Sequence, residues 1–226
     1  MTNKLLYGYL VIGLGELMSI LLHWQWLEWV CKPMIIIILA AYYFNHVNRK
    51  SEYFSKPVMA ALVFSWLGDV ALMFQPFVNT LFIVGLGCFL LAHVGYIIAY
   101  RQHRVITDAH PLIGIQKFRY AFPIVLAGTG LIVVLYGHLG ELRIPVIIYG
   151  VVLIVMVLEA LFRFGRTSAL SFWYVFIGAA LFMISDASIA IDKFIGTFEL
   201  AGVLIMSTYM IAQLLIIRGL VFHVTK

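Results

Sequence analysis

Eight apolar stretches on the scale of a bilayer crossing take up almost the whole chain, roughly 5–22, 33–47, 58–74, 80–100, 120–136, 144–162, 173–191 and 198–222. Hydrocarbon offers the backbone no hydrogen-bond partner, so only helices and closed barrels can cross it. These runs lack the apolar–polar alternation of a barrel strand, and helices follow. The expected fold is therefore all-α, a polytopic membrane helix bundle of eight transmembrane helices in a single integral membrane domain, residues 1–226. Composition agrees: 64% of the residues are hydrophobic and 11% charged, against about 45–50% and 25% in soluble domains. The N-terminal run has no small-residue cleavage pattern after it and reads as a retained first helix.

Charge then sets the orientation. With odd-numbered helices running outward, twelve of the fifteen basic residues collect on one side: Lys4, Arg49, Lys50, Lys56, Arg101, Arg104, Lys117, Arg119, Arg163, Arg166, Arg218 and Lys226. Only Lys32, Arg143 and Lys193 fall on the other. That bias places both termini in the cytoplasm, with the inner (plasma) membrane as the expected location. The net charge of +5 is explained by topology and attraction to membrane lipids, and no nucleic-acid partner is implied.

Two spans carry a carboxylate well inside the hydrocarbon: Asp186 in Leu181–Phe194 (LFMISDASIAIDKF) and Asp69 in Phe64–Phe74 (FSWLGDVALMF). An ionisable side chain at such depth costs at least about 2.5–3.5 kcal/mol and marks a functional site by default. Val58 to Asp69 rises roughly 16 Å and Trp173 to Asp186 roughly 20 Å along helices running the same way. Similar depth is expected for the two acids, in the outer half of the bilayer.

Other polar residues fall on these spans at helical spacing. His93, Tyr96 and Tyr100 share a face of the fourth, and Tyr209 and Gln213 stand one turn apart on the eighth. Tyr149 lies in the outer half of the sixth span, with Glu159 near its inner end. Taken singly, such groups commonly do no more than hydrogen-bond between helices, for roughly 0.6 kcal/mol. Glu16 and Glu159 are expected to pair with basic groups near their helix ends. Lys32, next to Pro33, is expected to open a short second helix after an interfacial loop His23–Lys32 with three tryptophans. Its ammonium suits either snorkelling or a lipid phosphate. Finally, Gly13-x-Gly15 recurs as Gly128-x-Gly130, Lys32-Pro33 as Arg143-x-Pro145, and Asp69 as Asp186. That near-constant offset suggests two parallel four-helix repeats.

Two intramembrane acids admit four readings: acid–base hydrolysis through an oxocarbenium-like state, an aspartyl protease, a lipid or ion transporter, and a purely structural pair. The protease reading is the weakest of the enzymatic ones. Ser65–Asp69 (SWLGD) and Ile184–Asp186 (ISD) lack the Tyr-Asp and Gly-x-Gly-Asp signatures, and no Pro-Ala-Leu follows. No metal site is expected, since only His93 lies clearly inside whereas zinc hydrolases generally want three protein ligands. Cys31 and Cys88 have no ligand or redox spacing and read as small apolar residues.

Taken in order, Lys32-Pro33, Gly68-Asp69, Ala92-His93-x-x-Tyr96, Tyr149, Ser185-Asp186 with Phe194, and Tyr209 with Gln213 resemble the YhhN-type lysoplasmalogenase family. The resemblance covers essentially the whole chain. It implies a membrane hydrolase that cleaves the vinyl-ether bond of a lysophospholipid, the lysoplasmalogen. The products are a fatty aldehyde and glycerophosphoethanolamine or glycerophosphocholine. It also implies catalysis by Asp69 and Asp186 without a cofactor, and a substrate-binding set of Lys32, His93, Tyr96, Tyr149, Tyr209 and Gln213. The resemblance does not assign the acid to one aspartate or the other.

Overall fold

The computed structural model describes residues 2–47, 55–104 and 111–224. Of the basic residues counted above, Arg49, Lys50 and Lys226 lie outside the described residues. The described chain is all-helical and contains eight long helices: α1 (Thr2–Leu21), α2 (Gln25–Val47), α3 (Lys56–Met73), α4 (Leu81–Gln102), α5 (Gly114–Tyr136), α6 (Arg143–Leu161), α7 (Ala169–Phe194) and α8 (Ala201–Val224). Each lies in a segment long and apolar enough to span a bilayer, so this is an integral, multi-pass membrane protein.

The second helix departs from expectation. α2 starts at Gln25, and most of the expected interfacial loop is helical. Pro33 sits inside this helix instead of at its first turn, and Lys32 is two turns in. Hydropathy finds the apolar run from Pro33, and the preceding turns of α2 carry Gln25, Glu28 and Lys32 among their apolar residues. An internal proline is tolerated in a membrane helix because neighbouring groups re-satisfy the freed carbonyl. The turn before α2 closes when Trp24 N–H donates to Ser19 O at 2.9 Å, with His23 in the left-handed region (φ 54°) where glycine is usual. Trp24, Trp26 and Trp29 are all exposed, as an aromatic belt requires.

Contacts divide the chain into two compact units, Met1–Ala99 with Val224–Lys226, and Tyr100–His223. In the first, α1 packs on α2 and α2 on α3. Small residues let α3 and α4 close tightly. A Cβ on Gly68 would lie 2.7 Å from the Phe89 ring, one on Gly85 would lie 2.8 Å from Leu72, and one on Gly95 would lie 3.0 Å from Pro57 O and 3.1 Å from Ala61. In the second, α5 packs on α6 and α6 on α7, and glycines again close the seam between α7 and α8. A Cβ on Gly178 would meet Ala212 O at 2.9 Å, and one on Gly219 would meet Ser171 O at 3.0 Å. Membrane helices attract one another through such close packing, since lipid supplies no hydrophobic drive between them.

Candidate functional site

In the second unit, Asp186 is buried on α7, and the Tyr149 hydroxyl of α6 donates to its Oδ2 at 2.5 Å. The preceding residue ties α7 to α8: Ser185 Oγ donates to Ile205 O at 3.0 Å. One turn toward the helix start, Phe182 stands edge-on to Tyr209 with ring centroids 5.4 Å apart. Tyr209 in turn accepts from Gln213 Nε2 at 3.4 Å, and both are buried. Tyr149–Asp186 and Tyr209–Gln213 are thus two buried pairs on α6, α7 and α8, with Phe182 one turn from the first and against the second. In hydrocarbon such a carboxylate persists only with donors aimed at it, and Tyr149 supplies one.

In the first unit, Asp69 is 4% exposed and Ser65, one turn before it, is fully buried. His93 and Tyr96 on α4 are fully buried as well. The α3–α4 seam sets their levels: Leu72 meets residue 85, Gly68 meets 89, and Ala61 meets 95. On that register Ser65 lies level with His93, and Asp69 one turn away. Tyr9 of α1 is buried within electrostatic reach of Asp69, a neighbour that sequence reasoning missed. An aromatic residue on a membrane helix carries no local signal to single it out.

The two seams share an offset. Ala61 packs on Gly95, Gly178 packs on Ala212, and both members shift by the 117 positions that separate Asp69 from Asp186.

Lys32 has a partner on its own helix. Its Nζ donates to Glu28 Oε1 at 2.9 Å, the i, i+4 pair that sequence reasoning passed over. Glu16 on α1 is fully buried, and neither of its oxygens has a hydrogen-bond partner among the described residues. Lys32 and Glu28 are the charges that act on it. Gly15 approaches Cys31, and on these antiparallel helices Glu16 and Lys32 therefore lie about 3 Å apart along the axis, within one turn. Glu159 instead pairs with Arg101 at 2.7 Å and with Arg104. Among the described residues, no three His, Cys, Asp or Glu side chains stand close enough to share a metal ion.

Comparison with known proteins identifies the family. The YhhN family matches residues 27–220, a stretch that includes every residue of the candidate site except Tyr9 and Glu16. A lysoplasmalogenase of Mycobacterium bovis is 32% identical over 191 residues, covering 84% of this chain and 68% of its own. Human lysoplasmalogenase TMEM86B is 30% identical over 192 residues, covering 85% of this chain and 74% of its own. No solved structure matches. On a family match that runs from the start of α2 nearly to the end of α8, this chain belongs to the YhhN family.

Proposed function

We propose that this protein hydrolyses the vinyl-ether bond of lysoplasmalogens by dividing acid and base roles between Asp186 and Asp69. Relatives that cover most of the chain are lysoplasmalogenases, and this chain is an enzyme of that kind. The division of roles is supported chiefly by Asp186, a buried carboxyl group held by the Tyr149 hydroxyl at 2.5 Å in a membrane helix.

The chemistry divides readily between two acids. A proton delivered to the β-carbon of the vinyl ether leaves an oxocarbenium ion on the adjacent carbon. Water adds there, losing a proton, and the resulting hemiacetal collapses to a fatty aldehyde and the glycerophospho alcohol. One carboxyl group donates the first proton, while the other faces the cation and accepts the proton from water. Tyr149 orients Asp186. Tyr209 and Gln213 shape the surroundings of Asp186, and His93 and Tyr96 those of Asp69. Lys32 takes the headgroup phosphate by exchanging Glu28 for a phosphate oxygen. The basic bias of the inner side supports cytoplasmic termini, and the shared seam offset supports two parallel repeats of four helices.

Product analysis tests the reading. Purified protein in phosphatidylcholine vesicles with lysoplasmenyl lipid should release fatty aldehyde and glycerophospho alcohol, seen by mass spectrometry. Lipid that changes leaflet without covalent change would instead indicate a transporter. Within this scheme, Tyr149→Phe removes the hydrogen bond that orients Asp186, worth about 1 kcal/mol to a neutral carboxyl and about 1.5–3 kcal/mol to a carboxylate. Its kcat should fall about fivefold or more, with the variant still inserted and monodisperse. Unchanged kcat would separate Tyr149 from the reaction.

A further inference from the structure

At the far end of the second unit from Asp186, four elements converge on a buried arginine. Arg163 follows α6, is fully buried, and donates through Nη2 to Ser171 Oγ at 2.9 Å. Ser171, in the first turn of α7, donates its hydroxyl to Gly219 O of α8 at 2.7 Å. The guanidinium stands 5.9 Å from the Tyr100 ring of α4. Its other two nitrogens, Nε and Nη1, are buried and have no hydrogen-bond partner among the described residues. The same is true of Arg104 Nε nearby. Glu159, one turn before Arg163, is taken by Arg101 and Arg104, so Arg163 has no ion pair among the described residues. His103 and His223 stack edge-on beside this group at 5.7 Å.

A buried guanidinium with unmade bonds is costly, and a second arginine beside it adds repulsion. Burial, with Arg104 adding to it and Tyr100 opposing, pushes Arg163 down to about 10, so it is still charged at neutral pH. Aromatic contact and one hydroxyl do not neutralise it. A phosphate oxygen pair does, because it matches the planar fork of the guanidinium and carries the missing negative charge.

We propose that Arg163, with Arg104 beside it, forms an anion site for a phosphate group at this end of the second unit, and that its ligand is the headgroup of an anionic membrane phospholipid. Basic pockets between membrane helices are suited to such headgroups. The site is separate from the Tyr149–Asp186 pair and does not depend on the hydrolase reading.

Thermal unfolding of the full-length protein in vesicles tests this. Phosphatidylglycerol added to phosphatidylcholine should raise the Tm of the wild type by about 4 °C or more, as expected for a ligand that binds only the folded state. Arg163→Gln should lose that shift. Arg163→Lys, which keeps the charge and loses the fork, should lose most of it. Arg119→Gln, at an exposed arginine on α5, should keep it. Inorganic phosphate added to neutral vesicles separates the sources: a shift with lipid alone assigns the site to a headgroup, and an equal shift with phosphate overturns the lipid assignment. If Arg163→Gln does not fold, the wild-type comparison still decides. No shift with either anion, or a full shift in Arg163→Lys, overturns the proposal.

Discussion

Asparagine in place of Asp186 is expected to slow aldehyde release by about 10²–10⁴-fold, the range that a positioned acid or base supplies. The substitution is isosteric, and the Tyr149 hydroxyl, 2.5 Å from Oδ2, can donate to the amide oxygen as it does to the carboxylate. The protein should therefore insert and elute as the wild type does. What the variant loses is the capacity to carry a proton or face a cation with negative charge. Asp69→Asn should behave alike, since Asp69 is as deeply buried and equally unsuited to a lipid-facing structural role. Groups that act as one catalytic unit are strongly non-additive, so the double variant should be no more than slightly slower than the worse single one. Substantial turnover in either single variant would remove that residue from the chemistry.

The second large effect is on stability. Gly178→Leu should unseat α8 from α7. Even the first added carbon would meet Ile216 Cγ1 at 2.8 Å and two backbone atoms, Ala212 O at 2.9 Å and Ile216 N at 3.0 Å. Side chains can turn away from such a clash, but helix backbone cannot. Overpacking of this kind costs about 1–3 kcal/mol even where neighbours adjust, and a leucine here leaves little room to adjust. The Ser185–Ile205 bond and the Phe182–Tyr209 contact lie along the same seam, so activity should fall together with thermal stability. Gly87→Ala is the matched control. Nothing lies within 4 Å of its added Cβ, and melting should be unchanged. Equal melting of wild type and Gly178→Leu would show that the seam does not depend on this close approach.

These expectations trace back unevenly to the sequence. The helices themselves are legible because lipid forces the backbone into them, and hydropathy records where lipid is. Their ends are less so. α2 begins eight residues before its apolar run, and α5 begins at Gly114, six residues before the expected 120. In both, turns with polar or charged side chains precede the apolar run and are helical all the same. Asp69 and Asp186 stand out because a carboxylate in an apolar run is expensive, and the family resemblance adds Tyr149, Tyr209 and Gln213. Their joining through Tyr149–Asp186 and Gln213–Tyr209 depends on which helices are neighbours, and no single-sequence pattern encodes that. Tyr9 and Arg163 escaped for the same reason. A tyrosine near a chain start and an arginine at a helix end look ordinary until packing buries them.

The central claim is proton delivery to carbon by intramembrane acids, and isotope labelling reads it most directly. Purified wild type, Asp69→Asn and Asp186→Asn would each be incubated with lysoplasmenyl lipid in D2O, and the fatty aldehyde examined by mass spectrometry. One deuterium is expected on the carbon next to the carbonyl in the wild-type product, and next to no aldehyde from either variant. Aldehyde without that deuterium, or an undiminished yield of it from one of the variants, would rule out proton delivery by these two acids.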